Sequence, residues 1–242
     1  MKKMKTILPA FVSGWMYRKG LFPEYKPVPG KVHFGDLLRT EPLSREFGYD
    51  RGGPVDRYYI ENFLSENSVF IKGRVLEIGD NSYTLRFGGQ QVKQSDILHV
   101  NESNPKATFI GDLSNAPHIP SDSFDCIILT QTLHLIYDYR DALQTCHRIL
   151  KPGGALLLTV PGITHIDHNE WGKTWYWSFT GKAIHRMMAE VFPAQNIIVQ
   201  TYGNVLVCSA FLYGLSMKEV NKKTLDEHDP DYQLVITVKA VK

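Results

Sequence analysis

Hydrophobic residues recur along most of the chain in short runs that alternate with segments of helical spacing. The short apolar runs predict seven strands, at residues 74–78, 97–100, 108–110, 124–130, 155–160, 196–201 and 233–241. Apolar positions spaced by three and four predict helices at residues 55–64, 138–150, 181–192 and 205–215. Short strands interleaved with helices indicate an α/β protein with a parallel, doubly wound sheet that helices cover on both faces.

The connections in the first half of this pattern are short. Residues 101–106 alone separate the second strand from the third, whereas a parallel crossover usually takes a dozen or more. Six extended residues reach roughly 20 Å, which brings the chain back along a short strand but leaves no room for a helix. Residues 80–95, between the first and second strands, allow one or two helical turns. We therefore predict shortened helices after strands one and two.

Composition excludes several classes of protein. The 242 residues are 43% hydrophobic and 21% charged, with a net charge of +2, which argues against a disordered tail and against a protein that coats polyanions. The longest nearly continuous apolar stretch, residues 205–215, is far shorter than the roughly 20 residues of a membrane helix, so no integral membrane span is predicted. Three cysteines without CxxC spacing indicate buried thiols in a reducing compartment, and we expect a cytoplasmic protein.

The charge is unevenly distributed. Residues 1–31 carry +6 and the remainder −4, and three prolines in residues 22–30 indicate an extended linker. We expect a basic N-terminal arm and linker at residues 1–33 and one main domain at residues 34–242. The arm is expected to dock on this domain or on a partner, which includes a homo-oligomer formed through the arm; an anionic membrane surface is the alternative. No basic, aromatic stripe lies outside the arm, so no nucleic-acid partner is expected.

Four motifs in residues 111–162 carry a family resemblance. In chain order they are Gly-Asp-Leu at 111–113, Asp-Ser-Phe-Asp at 122–125, Leu-His at 133–134 and Leu-Lys-Pro-Gly-Gly at 150–154. Together they resemble the second half of class I S-adenosylmethionine-dependent methyltransferases of the type 11-like group. Residues 34–80 look like the subgroup associated with glycan or small-molecule biosynthesis. The resemblance implies a Rossmann-like, seven-stranded, mostly parallel sheet with a reversed last strand.

The resemblance also implies where S-adenosylmethionine binds. Ligands of open parallel sheets lie beyond the carboxyl ends of the strands, where the strand order reverses. The implied cofactor contacts lie in the loops after the first four strands and on the first helix: Glu77, Gly79, Asp80, Asn101, Asp112, Leu113, Thr130, Gln131, Thr132 and Tyr58. Two of them have simpler explanations, since Glu77 is also a plausible strand-end acid in water and Asp112 a turn cap.

The first loop departs from the family pattern. Similar enzymes carry two or three glycines after strand one, whereas Gly79 is followed by Asp80, Asn81, Ser82 and Tyr83. Asp80 adds negative charge where the cofactor carboxylate is expected, so the backbone is less free to approach the ligand. This departure motivates an alternative, a methyltransferase-like fold without catalysis that acts as a partner or scaffold protein.

Candidate catalytic bases lie after the fifth strand. His165 and His168 are the best placed by analogy, with Asp167 and Glu170 nearby, and surface histidines are the competing interpretation. Two histidines with neighbouring acids are a weak zinc signal, so no metal is expected. The aromatic residues that follow would stack on a sugar or aromatic acceptor or cover the core: Trp171, Trp175, Tyr176, Trp177 and Phe179.

The function expected from the sequence is methyl transfer from S-adenosylmethionine to a small-molecule or glycan-precursor acceptor. A nicotinamide dehydrogenase is disfavoured, because the loop after strand one has no GxGxxG motif.

Overall fold

A computed structural model describes residues 9–19, 21–22, 24–169 and 171–242. Lys2, Lys3 and Lys5 of the predicted arm and Glu170 of the candidate base loop lie outside the described residues. The chain divides into two compact units, residues 1–40 and residues 41–242. The predicted boundary between residues 33 and 34, and the docking of the arm, stay predictions.

The first unit contains one α-helix and one short 3-10 helix, Gly35–Leu37, among its described residues. Helix α1 (Ala10–Arg18) starts after Pro9, and its last turn carries Arg18, whose charge suits the negative end of the helix dipole. Tyr25 then packs its ring 6.0 Å from that of Tyr17. The sequence did not predict this helix, because its apolar residues do not fall on one face.

The second unit is built on a seven-stranded sheet in the order β3-β2-β1-β4-β5-β7-β6. The strands are β1 (Gly73–Ile78), β2 (Val92–His99), β3 (Phe109–Ile110), β4 (Phe124–Thr130), β5 (Leu150–Pro161), β6 (Ile197–Tyr202) and β7 (Val235–Val241). The first five are parallel to one another, and β7 runs antiparallel to both β5 and β6. The predicted Rossmann-like, mostly parallel sheet with a reversed last strand is confirmed.

Helices cover both faces of this sheet. Helix α3 (Tyr139–Ile149) and helix α4 (Gly181–Ala189) bury their apolar sides in one core cluster. Helix α2 (Asp56–Glu66), helix α5 (Val205–Leu212) and the short helix α6 (Lys222–Asp226) contribute to the other. Neighbouring strand residues alternate between the clusters, as Leu76 does with Val75, because side chains of a strand point to opposite faces.

The predicted short connections are confirmed. Only turns join β2 to β3, and residues 82–91, between β1 and β2, form a few irregular helical turns. The three cysteines are free and buried.

Strand β2 begins five residues earlier than its apolar run at residues 97–100 predicts. Its first half is polar, so hydrophobicity alone does not reveal it. Asp96 is nevertheless buried there, because Arg74 on β1 donates to its carboxylate over 2.7 Å. An ion pair between neighbouring strands thus replaces the apolar contact that the sequence pattern requires.

Candidate functional site

A large cleft lies beyond the carboxyl ends of β1 and β4, where the strand order reverses. Its volume is about 1160 Å³, and its walls come from the ends of β1, β2 and β4, helix α2 and the loops that follow β5. Pockets for a single small ligand typically measure roughly 300–1,000 Å³. The cleft is therefore large enough for a cofactor together with a second molecule.

The turn after β1 forms the floor of the cleft. Gly79 has a φ of +93°, and a Cβ at this position would meet no atom within 4 Å, so its backbone faces open space. The Gly79 amide donates to Leu98 and its carbonyl accepts from the Asn104 side chain, which fixes the turn. The Asp80 carboxylate accepts from the Ser82 amide and hydroxyl, both at 2.8 Å. Asp80 therefore stabilises the turn that glycines form in similar enzymes.

Glu77, at the end of β1, lies beneath this turn and is only 3% exposed. Its carboxylate accepts hydrogen bonds from the Thr84 amide and hydroxyl, each at 2.7 Å, and from the Tyr83 amide at 3.3 Å. Burial raises the pKa of Glu77 to about 7, although the bonds from Thr84 oppose the shift. Glu77 thus holds the turn to the sheet and titrates near neutral pH.

The end of β4 contributes a strained residue and a buried imidazole. Gln131 has a φ of +47°, and its side-chain Nε2 is buried without a hydrogen-bond partner among the described residues. His134 follows one turn later, 3% exposed, and its Nδ1 likewise lacks a partner in the described part of the chain. Burial lowers the pKa of His134 to about 4, so its ring is neutral at physiological pH.

Helix α2 places a charged pair at the cleft wall. Burial raises the pKa of Asp56, while the charge and amide of Arg57 oppose that shift. The Arg57 guanidinium is held by two phenols, 2.7 Å from the Tyr49 hydroxyl and 3.4 Å from that of Tyr83. A cation is therefore fixed beside the turn of Gly79 and within the same cleft lining.

The loop after β5 forms a further wall of the cleft. Its backbone is tied to the end of β4, because the amides of Tyr176 and Trp177 donate to the carbonyl of His134. This places the Trp175 ring 4.5 Å from that of His134, with the indole Nε1 buried and unpaired among the described residues. Trp177 instead donates its Nε1 to the Ile136 carbonyl at 3.0 Å.

The structure brings six of the ten implied cofactor residues into the cleft lining: Glu77, Gly79, Asp80, Thr130, Gln131 and Thr132. The other four lie outside it. The Tyr58 hydroxyl bonds to Asp226 on α6, and Asn101 follows His99 and Val100, which occupy the cleft edge after β2. Asp112 accepts from Ser114 as a turn cap, and the Leu113 side chain is buried in the core. Cofactor contact by these residues stays a prediction.

The two candidate bases also lie outside the cleft lining. The His165 ring stacks on Phe47 at 4.1 Å, and both ring nitrogens are buried without a hydrogen bond of ordinary geometry to any described residue. Burial lowers the pKa of His165, while the nearby Arg45 carbonyl and Asp167 oppose the shift. His168 is exposed. Asp167, between them, lines the cleft.

Sequence reasoning missed Phe47, Asp56 and His99, which all line the cleft. Phe47 precedes a glycine-containing turn and has a φ of +56°, which nothing in its own side chain reveals. Asp56 opens a predicted helix, where an acidic residue has an ordinary explanation. His99 lies near the carboxyl end of a predicted strand, and among these three residues only this position indicated a place at the cleft.

The described residues contain neither a candidate metal cluster nor a candidate membrane-spanning helix. Within residues 9–19, 21–22, 24–169 and 171–242, no group of three or more His, Cys, Asp or Glu side chains could hold a metal ion. In the same part of the chain, no helix is both long and apolar enough to cross a membrane.

Comparison with known proteins gives a family match. A family model described as a methyltransferase domain matches residues 47–197, which is more than half of the chain. The ubiquinone/menaquinone biosynthesis C-methyltransferase of Marinomonas sp. is 27% identical over 124 residues, covering 44% of this chain and 49% of that protein. Its counterpart from Pectobacterium carotovorum is 29% identical over 86 residues, 36% of this chain and 32% of that protein. The chain thus spans 32–49% of the length of these relatives.

Solved structures share the fold at low sequence identity. A SAM-dependent methyltransferase from Archaeoglobus fulgidus has a TM-score of 0.52 and 12% identity, with 82% of this chain and 100% of that one covered. The [4+2]-cyclase SpnF has a TM-score of 0.51 and 16% identity, with coverages of 76% and 80%. Because a cyclase and a methyltransferase share this architecture, the likeness establishes the fold alone.

Proposed function

Because the chain belongs to the methyltransferase domain family, we propose that it transfers a methyl group from S-adenosylmethionine to a small-molecule or glycan-precursor acceptor. The observation that carries the proposal is the cleft at the switch point of the sheet, in which the backbone of Gly79 is open. When bound, S-adenosylmethionine would supply an electrophilic methyl group, to which a nucleophilic electron pair of the acceptor would bond as the carbon–sulfur electrons return to sulfur.

The residues around Gly79 fit the polar end of this cofactor. The amino-acid portion of S-adenosylmethionine carries a carboxylate, and the Arg57 guanidinium is a cation of the cleft lining that two phenols hold in place. Asp80 keeps its negative charge, but one of its carboxylate oxygens is engaged by the amide and hydroxyl of Ser82. Glu77 holds the turn from below and leaves the face of Gly79 accessible.

The remaining walls position the acceptor and exclude water. Transfer requires the nucleophile and the methyl carbon to be held close and in line, and such alignment lowers the activation barrier by up to about 7–11 kcal/mol. The end of β4 and the loop after β5 are joined by backbone hydrogen bonds and both contribute to the cleft lining. Acceptor binding there would place Gln131 and Thr132 beside the reacting centre.

His165 and His168 remain the proposed bases. If either removes a proton from the acceptor, its asparagine variant should lower kcat and abolish the acidic limb of the pH–rate profile. Unchanged kcat in both variants would remove them from the mechanism, and Asp167, which lines the cleft between them, would be the next residue to change.

Small-molecule chemistry is supported by the curated relatives. Their names assign them to ubiquinone and menaquinone biosynthesis, but they share less than half of their length with this chain. For this reason we infer from these relatives only that the acceptor is a small molecule, and we infer no particular product.

Calorimetric titration separates the enzyme from a scaffold. The full chain is titrated with S-adenosylmethionine, S-adenosylhomocysteine and 5′-methylthioadenosine, which lacks the amino-acid portion. Arg57→Met should weaken S-adenosylhomocysteine at least about tenfold, since charge-assisted hydrogen bonds contribute about 1.5–3 kcal/mol. The same variant should leave 5′-methylthioadenosine unchanged. If none of the three compounds binds at millimolar concentration, the proposed enzymatic function is refuted and a role as a partner or scaffold protein is favoured.

A further inference from the structure

Helix α1 exposes large aromatic side chains and buries a polar one. Phe11 is 78% exposed and Trp15 is 53% exposed, whereas Ser13 is only 5% exposed. Residues four apart lie on the same face of a helix, so Phe11 and Trp15 are neighbours and Ser13 lies on the opposite side. A surface helix that packs only on its own chain shows the reverse arrangement. The exposed aromatic face therefore indicates an interaction site.

The segment that follows α1 leaves this aromatic face open. Tyr25 packs on another side of the helix, where a Cβ at Gly14 would lie 3.7 Å from the Tyr25 ring. Leu21, just after the helix, is 63% exposed and adds an aliphatic side chain to the exposed apolar surface.

Unpaired positive charge accompanies the aromatic residues. Residues 1–31 hold seven basic residues and one acid, a net charge of +6. Four cations of this segment are exposed and take no part in the salt bridges of the described residues: Arg18, Lys19, Lys26 and Lys31. Arg18 follows Phe11 by seven positions and therefore lies on the same side of the helix. The partner of this surface should thus be both apolar and negatively charged.

An anionic lipid surface has both properties. Interfacial helices bury Trp, Phe and Leu at the boundary between headgroups and acyl chains, while Lys and Arg attract anionic headgroups. A second copy of the chain fits less well, because it would bring two segments of +6 together. A single-stranded nucleic acid would stack on the rings, but Leu21 has no flat face for a base.

We propose that the N-terminal arm binds the surface of an anionic phospholipid membrane, with Phe11 and Trp15 inserted among the lipids and the basic residues at the headgroups. With nine residues, α1 is too short to cross a bilayer and would lie in its surface. The proposal goes beyond methyl transfer and does not depend on it.

Co-sedimentation of the full chain with vesicles tests the charge requirement. One set of vesicles is phosphatidylcholine alone, and the other is an equal mixture of phosphatidylcholine and phosphatidylglycerol. We expect binding to the mixed vesicles only. The triple variant Arg18→Gln, Lys19→Gln, Lys26→Gln should weaken this binding about a hundredfold, since each basic residue near an anionic surface contributes about a fivefold gain.

The matched control removes the same charge from the second unit. It changes to glutamine three exposed lysines that also lie outside the salt bridges of the described residues: Lys93, Lys106 and Lys182. This triple variant should bind the mixed vesicles as the native chain does.

A pair of double variants tests insertion of the rings. Phe11→Ser with Trp15→Ser should abolish binding to the mixed vesicles, whereas Phe11→Leu with Trp15→Leu keeps the side chains apolar and should retain it. Both positions are exposed, so the variants should fold, and an unchanged melting temperature checks this. A surface that stacks on nucleic-acid bases would instead lose its ligand in both double variants.

Each other result overturns the proposal. Absence of binding to the mixed vesicles, equal weakening by the two triple variants, or full binding by the serine pair would each refute it. Binding of a single-stranded oligonucleotide without binding of vesicles would identify a nucleic-acid partner, and a dimer that the serine pair dissociates would identify a second copy. The affinity for S-adenosylhomocysteine should be the same in all these variants, so failure here leaves the proposed function untouched.

Discussion

Glu77 and His134 should give the free energy of unfolding two opposite pH dependences that cancel in the native chain. Both side chains are 3% exposed and lie in the same cleft lining. Burial raises the pKa of Glu77 from 4.5 to about 7 and lowers that of His134 from 6.5 to about 4. The informative perturbations are Glu77→Gln and His134→Phe, each of which removes one titration.

The signs follow from proton binding. Between pH 4.5 and about 7 the folded state holds a proton on Glu77 that the unfolded state has lost, so stability falls as pH rises through this window. Between about 4 and 6.5 the unfolded state holds a proton on His134 that the folded state lacks, so stability rises with pH. From near pH 5 to near pH 7.5 each group changes the free energy of unfolding by about 2 kcal/mol, in opposite directions.

Urea denaturation at the two pH values measures the effect. Relative to the native chain, Glu77→Gln should gain about 2 kcal/mol more stability on going from near pH 5 to near pH 7.5, and His134→Phe about 2 kcal/mol less. Asp56, whose pKa burial also raises, is present in all three proteins and cancels from the comparison. If both variants follow the pH dependence of the native chain, the carboxyl and imidazole are not buried as the structure has them, and the reasoning is wrong.

Three further predictions concern stability and cofactor binding. Trp175→Phe removes an unpaired donor and should leave the free energy of unfolding unchanged or higher. Trp177→Phe removes the hydrogen bond to the Ile136 carbonyl and should lower the free energy of unfolding, measured in urea, by about 1–3 kcal/mol. Equal losses in the two variants would contradict the assignment of unpaired groups. Gly79→Ala places a Cβ in open space at a φ of +93°, so thermal melting should show a loss of about 1–2 kcal/mol in the free energy of unfolding. Calorimetry should show weaker binding of S-adenosylhomocysteine. Unchanged affinity would exclude close contact between the ligand and this backbone. Gly162→Ala puts its Cβ 2.1 Å from the Gln233 carbonyl and should destabilise more than Gly79→Ala does, with the reverse order showing that this strand end can shift.

The order of strands and helices along the chain could be predicted because apolar residues recur at the spacing typical of each buried element. The runs at residues 74–78 and 124–130 are mostly apolar, and consecutive residues such as Val75 and Leu76 are buried, since these central strands are covered on both faces. The length of residues 101–106 alone excluded a helix there. The start of β2 could not be predicted, because Asp96 is buried by an ion pair with Arg74, which is 22 residues earlier in the chain.

The candidate site was predictable only where it lies directly after a strand. Gly79, Thr130 and Gln131 line the cleft because the carboxyl ends of parallel strands meet at one edge of a sheet. The donor of Trp175 and the ring of Phe47 reach the cleft from loops more than a hundred residues apart. The positions of these two side chains depend on contacts between distant segments, such as the backbone hydrogen bonds that hold the loop after β5 to the residues that follow β4.

The sequence by itself determined the architecture of this protein and the edge of the sheet at which its cleft lies, since local periodicity and loop length limit how strands can be ordered. Only the tertiary structure decided which side chains are deprived of water and of partners. Burial sets the pKa of Glu77 and of His134 and leaves the Trp175 donor unpaired, and burial is a property of contacts between distant segments. For that reason the chemistry of the cleft could not be read from the spacing of its residues.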